Sequence, residues 1–228
     1  MPENNLLVYS SGATAPPLRK TSELFSENTG VTFRFITGKA EDLFMKITET
    51  KTGDLLQCGA EYLLDEAARK GIIDNTSRRS VGYRRAVILV PPNNPQGVHS
   101  LADLTRKNMK VGISISGCLL GLWDDICSKA KITDLILPNI TNRADGCGDI
   151  MSLIHKRTVD AIFGWNTFGT TWPKTSEVIE LPPEYQVFRS TGIAIISNSQ
   201  KKSLAKKFLE YLVAGPGKKI YEESGWIH

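Results

Sequence analysis

Four cysteines are the residues of this sequence with the widest chemical repertoire, and three of them have similar neighbours. Cys58, Cys118 and Cys147 each stand beside glycine in a short turn, whereas Cys127 falls within a predicted helix. An even number of cysteines is compatible with one or two disulfides in an oxidising compartment. We expect small buried residues with one disulfide between loops. The alternative is that two or three thiolates converge on a soft ligand such as copper, arsenite or an organic thiol.

Small and hydroxyl side chains recur in six turns, each of which follows a predicted strand. Small residues let a ligand approach the main chain, and free N–H groups at a helix start attract anions. One such turn caps helices in many proteins, but six in the same topological position predict a binding site for an oxyanion or a carboxylate. The turns are Ser10-Ser11-Gly12, Thr37-Gly38-Lys39, Gln57-Cys58-Gly59, Ser116-Gly117-Cys118, Gly146-Cys147-Gly148 and Trp165-Asn166-Thr167.

Arginine supplies the positive charge that an anion site needs. Arg84 and Arg189 stand at the starts of two long predicted strands. We expect surface ion pairs for both, although either guanidinium could donate two hydrogen bonds to an anionic ligand. Trp165 is expected to pack in the core or to line the site. The residues expected to bind ligand are Ser10, Ser11, Gly12, Thr37, Gly38, Cys58, Cys118, Gly146, Cys147, Trp165 and Arg189.

Short apolar segments alternate with amphipathic segments, which predicts an α/β fold that holds these turns in place. The beginning of the chain alternates three strands with three helices, a pattern typical of a parallel sheet with right-handed crossovers. In such folds ligands bind beyond the carboxyl ends of the strands. Strands are predicted at residues 5–9, 31–36, 54–57, 85–90, 110–115, 136–140, 160–164 and 189–197, and helices at 16–29, 40–50, 58–70, 101–105, 122–131, 149–157 and 203–213.

Two long strands, at residues 85–90 and 189–197, divide this pattern into two βα sets. We therefore predict two lobes with mostly parallel sheets and two hinge crossovers. Lobe 1 comprises residues 1–87 plus 191–228, and lobe 2 comprises residues 88–190. The crevice between the lobes is the expected ligand site, and Gly12, Gly38, Cys118 and Cys147 should line it.

Charge and motifs argue against several functional classes. The 28 basic and 24 acidic residues give a net charge of +4, and the basic residues are scattered rather than arranged as the stripe of a nucleic-acid binder. The motifs GxSxG, GxGxxG and HExxH, the P-loop and C-x-x-C are absent, so we predict no enzyme, no metal site and no cofactor. A cysteine-dependent enzyme on the same scaffold stays open as an alternative, and it requires one thiol of unusually low pKa.

The N-terminal residues MPENNLLVYSS lack the pattern of a secretory signal. The sequence is therefore compatible with a cytoplasmic protein or with the mature form of an exported one. No apolar run approaches the roughly 20 residues that cross a bilayer, so no membrane span is predicted.

Eight segments carry a resemblance to a known family, in the same order along nearly the whole chain. They are VYSSGATAPPL, ENTGVTFRFITG, GDLLQCGAEYLLDEA, YRRAVILVPPNNPQGVHSLADL, GLWDDI, DGCGDIMSLIHKRTVDAIFGW, YQVFRSTGIAII and KKIYEESGW. With these segments the sequence resembles the type II periplasmic solute-binding proteins, in the branch around molybdate-binding and accessory colonization factor proteins. The resemblance implies a periplasmic monomer of two hinged α/β lobes. It also implies that the protein captures a small anionic solute and delivers it to the permease of an ABC transporter or to a sensor kinase, without nucleic acid.

Molybdate-type relatives hold a tetrahedral oxyanion through serine hydroxyls and main-chain N–H groups of the first two loops, together with a late tyrosine. The first loop here offers Ser10, Ser11 and Thr14, and the second offers Thr37 in place of paired serines. Trp165 stands near the position of the late aromatic residue. The resemblance thus implies an oxyanion such as molybdate or tungstate. Cysteines in three loops are not part of the molybdate pattern. A soft, thiol-reactive ligand therefore remains the alternative to an oxyanion.

Overall fold

The chain folds into two compact units. The computed structural model describes residues 4–228. Unit 1 contains the chain up to Tyr83 and again from Arg189 to His228, and unit 2 is the continuous segment Arg84–Phe188. The two crossing points lie within the fourth and ninth strands, and the boundaries predicted from the sequence, 87/88 and 190/191, lie within the same two strands.

The elements within residues 4–228 alternate as an α/β fold requires. The strands are β1 Asn5–Ser11, β2 Thr32–Gly38, β3 Leu55–Cys58, β4 Arg79–Val90, β5 Val111–Ser114, β6 Ile140–Ala144, β7 Ala161–Trp165, β8 Glu177–Glu180 and β9 Phe188–Ile195. The helices are α1 Ala15–Thr29, α2 Ala40–Thr50, α3 Glu61–Arg69, α4 Leu122–Ala130, α5 Thr133–Ile136, α6 Cys147–His155, α7 Thr167–Thr171, α8 Lys202–Ala214 and α9 Pro216–Glu223. None of these helices is long and apolar enough to span a bilayer.

Unit 1 is built on strands in the order β2-β1-β3-β9, of which the first three are parallel and β9 is antiparallel to β3. Helices α1 and α8 supply much of its core. The ring of Phe25 on α1 packs edge-on against that of Phe208 on α8, with centroids 5.3 Å apart, and Phe33 of β2 lies 4.7 Å from Phe208. Edge-to-face aromatic pairs of this kind stabilise a core beyond the area they bury.

Unit 2 has strands in the order β8-β4-β7-β5-β6. Strand β5 runs parallel to β6 and to β7, whereas β4 is antiparallel to β7 and to β8. Every residue of β4 from Ala86 to Val90 is completely buried. A strand covered on both faces explains why this segment reads as a continuous apolar run rather than as an alternating one.

The predicted strand at residues 136–140 is wrong. Helix α5 occupies Thr133–Ile136, a single 3-10 turn follows at Leu137–Asn139, and β6 begins only at Ile140. The apolar residues suggested a strand, but Ile136 is buried from a helical turn while Leu137 is exposed. Pro138 suits this geometry because its fixed φ is compatible with the first positions of a helical turn.

Candidate functional site

The carboxyl ends of β1, β2 and β3 bring the predicted ligand-binding turns of unit 1 together. In the parallel register, Ser10 lies opposite Thr37 and Ser11 lies opposite Gly38. On the other side of β1, Ser10 lies opposite Gln57. Three turns that are far apart in sequence therefore share one edge of the sheet, because parallel strands end on the same side.

The side chains at this edge have different exposure. Ser10 is completely buried, and its hydroxyl donates a 2.7 Å hydrogen bond to Oε1 of Gln57. The amide of Gln57 in turn donates to the hydroxyl of Tyr221, and burial raises the pKa of that phenol. Ser10 is thus engaged in an internal polar network. Ser11 is half-buried and Thr37 is exposed, so solvent reaches both residues at this edge.

The main chain after β1 is open to a ligand. A Cβ added at Gly12 would meet nothing within 4 Å. Gly12–Thr14 form a 3-10 turn, and Pro16 and Pro17 occupy the first turn of α1. Because proline carries no N–H, the main-chain donors at this end come from the 3-10 turn rather than from the helix itself.

The other two candidate residues of unit 1 lie deeper or elsewhere. Cys58 is completely buried at the end of β3, opposite Gly192 of β9. Arg189 is half-buried, and its guanidinium lies over the ring of Tyr62 at 5.6 Å from the centroid.

In unit 2 the ends of β5 and β6 set two cysteine loops side by side. Ser114 pairs with Ala144 in the parallel register, and one loop follows each strand. The hydroxyl of Ser116 donates to a carboxylate oxygen of Asp145 at 2.5 Å, which ties the loops together. Gly146 has φ of +95°, a conformation that favours glycine, and its N–H donates to the hydroxyl of Ser114.

The two loops bring Cys118 and Cys147 into contact. Their sulfur atoms lie 3.2 Å apart and are not joined by a disulfide bond. Cys118 is only 5% exposed, whereas Cys147 is half-buried. The register of β5 and β6 is therefore sufficient to create a dithiol from residues 29 positions apart.

The surroundings of this pair shift the pKa values of the two thiols in opposite directions. The hydrogen bond from Cys147 is the largest cause that holds the pKa of Cys118 well below its usual value, and the charge of Arg84 adds to it against the effect of burial. The hydrogen bond to Cys118, burial and the negative charge on Cys118 raise the pKa of Cys147 well above its usual value. Cys118 is thus the more acidic of the two thiols.

Arg84 and Trp165 complete this cluster. The guanidinium carbon of Arg84 lies 4.9 Å from the centre of the Trp165 ring, and the indole N–H donates to the sulfur of Cys118 at 3.3 Å. Arg84 and Trp165 are both completely buried. The expected surface ion pair of Arg84 is therefore wrong, and the neighbouring Arg85 makes that contact, with Glu180.

Cys127 lies apart from this chemistry on α4. Burial and the nearby Asp124 raise the pKa of its thiol to about 12, so it stays protonated. Within residues 4–228, no group of three or more His, Cys, Asp or Glu side chains is arranged to hold a metal ion. The chemistry of the cluster in unit 2 is accordingly that of one dithiol beside one buried cation.

Comparison with known proteins gives a family and a fold. The sequence profile described as bacterial extracellular solute-binding protein matches residues 6–227. The molybdate-binding protein ModA of Mycobacterium tuberculosis is 20% identical over 239 residues, which cover 97% of this chain and 84% of that protein. Proteins of this family bind solutes and are not enzymes.

Two solved structures show the same fold. PEB3 of Campylobacter jejuni with bound L-phospholactate has a TM-score of 0.87 at 20% identity, over 98% of this chain and 99% of that one. The periplasmic molybdate-binding protein of Azotobacter vinelandii has a TM-score of 0.77 at 15% identity, over 98% and 99%. These likenesses confirm the predicted fold class, the two-lobed α/β fold of the type II periplasmic binding proteins.

Proposed function

The chain belongs to the bacterial extracellular solute-binding protein family, and on that premise we propose that it captures a small anionic solute outside the cytoplasm. The solute class is a tetrahedral oxyanion of the molybdate or tungstate type, or a small phosphorylated carboxylate. Hydroxyl and N–H groups at the sheet edge of unit 1 contact the solute.

The observation that carries this proposal is the register of β1 and β2. It sets Ser11 beside Gly38 and Ser10 beside Thr37 at the carboxyl edge of parallel strands, with an open main chain at Gly12. Hydroxyl and amide donors suit an anion, because a charged acceptor makes each hydrogen bond stronger than a neutral one does. Two relatives support the class of solute: ModA is a molybdate-binding protein, and PEB3 holds L-phospholactate.

The experiment is a titration of the purified protein with molybdate, tungstate, sulfate, phosphate, arsenate and L-phospholactate, with the melting temperature and calorimetric heat as readouts. An anion that binds the folded protein alone, at about 100 times its dissociation constant, adds about 2.7 kcal/mol to the free energy of unfolding. Sodium chloride at matched ionic strength is the control, since it provides screening without a specific anion. Unchanged melting with every anion of this series would overturn the proposal.

Delivery of the solute to the permease of an ABC transporter is the corresponding cellular role, with transfer to a sensor kinase as the alternative. We propose that the protein acts as a monomer in either role. Uptake of the radiolabelled anion by cells, measured with and without the protein, separates the two roles because only transport moves the label across the membrane. Sedimentation of the purified protein measures its oligomeric state.

A second candidate function is the capture of a thiophilic solute, and the 3.2 Å separation of the Cys118 and Cys147 sulfurs favours it. A monosubstituted arsenic(III) oxide condenses with two thiols, forming two As–S bonds and releasing one water. Phenylarsine oxide is the probe, and the expected product is a one-to-one adduct by intact mass that the Cys118→Ser variant does not form. A Cys127→Ser variant is the control. Adduct formation at Cys58 or Cys127 instead would contradict this function.

The cysteine-dependent enzyme is the remaining alternative from the sequence. The lowered pKa of Cys118 fits its requirement, but the thiol is 5% exposed and the family binds solutes. Fast alkylation of Cys118 at neutral pH would favour the enzyme, and slow alkylation would count against it.

A further inference from the structure

The Cys118–Cys147 pair has a feature that the capture of an anion does not require. Two thiols are held in contact by two loops that a hydrogen bond between Ser116 and Asp145 ties together. A disulfide bond is about 2.05 Å long, so the two sulfurs must approach by roughly an ångström. Rotation about the Cα–Cβ bonds provides that movement, since the strands before both loops are already in register.

We propose that Cys118 and Cys147 form a reversible disulfide. The contact between their sulfurs supports this bond whichever solute the protein binds.

The oxidant is a small-molecule disulfide, and the reaction proceeds in two exchange steps. Cys147 is the more exposed sulfur. Its proton passes to Cys118 across the 3.2 Å contact as the Cys147 sulfur attacks the disulfide RSSR and releases RS⁻. Cys118 then loses that proton to the solvent or to RS⁻, attacks the Cys147 sulfur of the mixed disulfide, and releases a second RS⁻. The two cysteines lose two electrons together, and RSSR gains them as two thiols.

The cluster stabilises the group that must react in the second step. Trp165 donates its indole N–H to the Cys118 sulfur, and the guanidinium of Arg84 lies over the same indole. A neighbouring cation favours the thiolate form of a cysteine, and the thiolate is the form that exchanges. The family is extracellular, and disulfides form and persist in such oxidising surroundings.

The experiment tests whether the disulfide forms, and it uses the protein without any solute. The wild-type protein is incubated with oxidised glutathione, alkylated, and analysed by intact mass and peptide mapping. The expected result is a Cys118–Cys147 cross-link that dithiothreitol reverses, with Cys58 and Cys127 still carrying thiols. The Cys127→Ser variant is the control and should form the same cross-link. A disulfide that contains Cys58 or Cys127, or the absence of a disulfide, would overturn the proposal.

Discussion

Thr37 offers the sharpest test of the anion site, because its side chain can be removed without disturbing the core. Thr37 is exposed at the carboxyl end of β2. Replacement of an exposed residue by alanine usually changes the free energy of unfolding by no more than about 0.5 kcal/mol. Any effect of Thr37→Ala on binding therefore reports on a contact with the solute rather than on the fold.

The expected size of the effect follows from the charge of the solute. A hydrogen bond to a charged group contributes about 1.5–3 kcal/mol, and each 1.4 kcal/mol is a factor of ten. Loss of the Thr37 hydroxyl should thus weaken the best-bound anion of the titration series by roughly 10- to 150-fold, measured by calorimetry. The enthalpy should become less favourable as well, since a direct hydrogen bond is lost.

Thr32→Ala is the matched control. Thr32 is an exposed threonine on the same strand, but it lies at the opposite end and pairs with Asn5. Both substitutions remove the same atoms and the same β-strand propensity. Equal affinities of the Thr37→Ala and Thr32→Ala variants would refute the assignment of the solute to the carboxyl edge of unit 1.

Three further predictions concern groups inside the two units. Arg84→Lys should raise the pKa of the Cys118 thiol, followed by the ultraviolet absorbance of the thiolate, because the guanidinium that donates to that sulfur is lost. Arg85→Lys is the control, and identical titrations of the two variants would contradict the role of Arg84. Burial raises the pKa of Cys127 from 9.0 to about 12 in the folded protein, so the resulting stability is present below pH 9.0 and is lost as the pH rises toward about 12. The free energy of unfolding of Cys127→Ser, measured in urea, should therefore fall less at alkaline pH than that of the wild type. Equal decreases in the two proteins would disprove this cause. Phe208→Ala removes a ring that packs against two other phenylalanines of unit 1. It should lower the free energy of unfolding by about 3–5 kcal/mol, measured by denaturant titration. A decrease below about 1 kcal/mol would mean that the surrounding side chains fill the cavity.

The strand-end turns could be predicted from the sequence because their position depends on local patterns. An apolar run followed by Ser10-Ser11-Gly12 or by Thr37-Gly38 marks a strand and its end, and parallel strands bring such ends to one edge. The same reasoning placed Cys118 and Cys147 in loops that follow strands. Their contact at 3.2 Å depends on the register of β5 and β6, which no local pattern reveals.

The inward orientation of Arg84 could not be predicted, and the reason lies in the composition of β4. Side chains alternate between the two faces of a strand, so Arg84 and Arg85 must point in opposite directions. The following residues up to Val90 are buried on both faces, so the apolar pattern does not distinguish an inner face from an outer one. Only the packing of β7 against β4, which places Trp165 opposite Ala86, identifies Arg84 as the buried member of the pair.

The interruption of unit 1 by unit 2 has a consequence for the order in which the chain becomes structured during synthesis. Phe25 is translated early, but its partner Phe208 arrives 208 − 25 = 183 residues later, and β9, which pairs with β3, also follows the whole of unit 2. Unit 2 is continuous, so all of its residues are available for folding on the ribosome once Phe188 has emerged. At that point α8 has not been synthesised, and the aromatic side chains of α1 and β2 are not yet covered by it. A nascent chain that stops before Lys202 would thus contain all of unit 2 but an incomplete unit 1 with exposed aromatic side chains. Such an intermediate is prone to aggregation, and a chaperone would protect it.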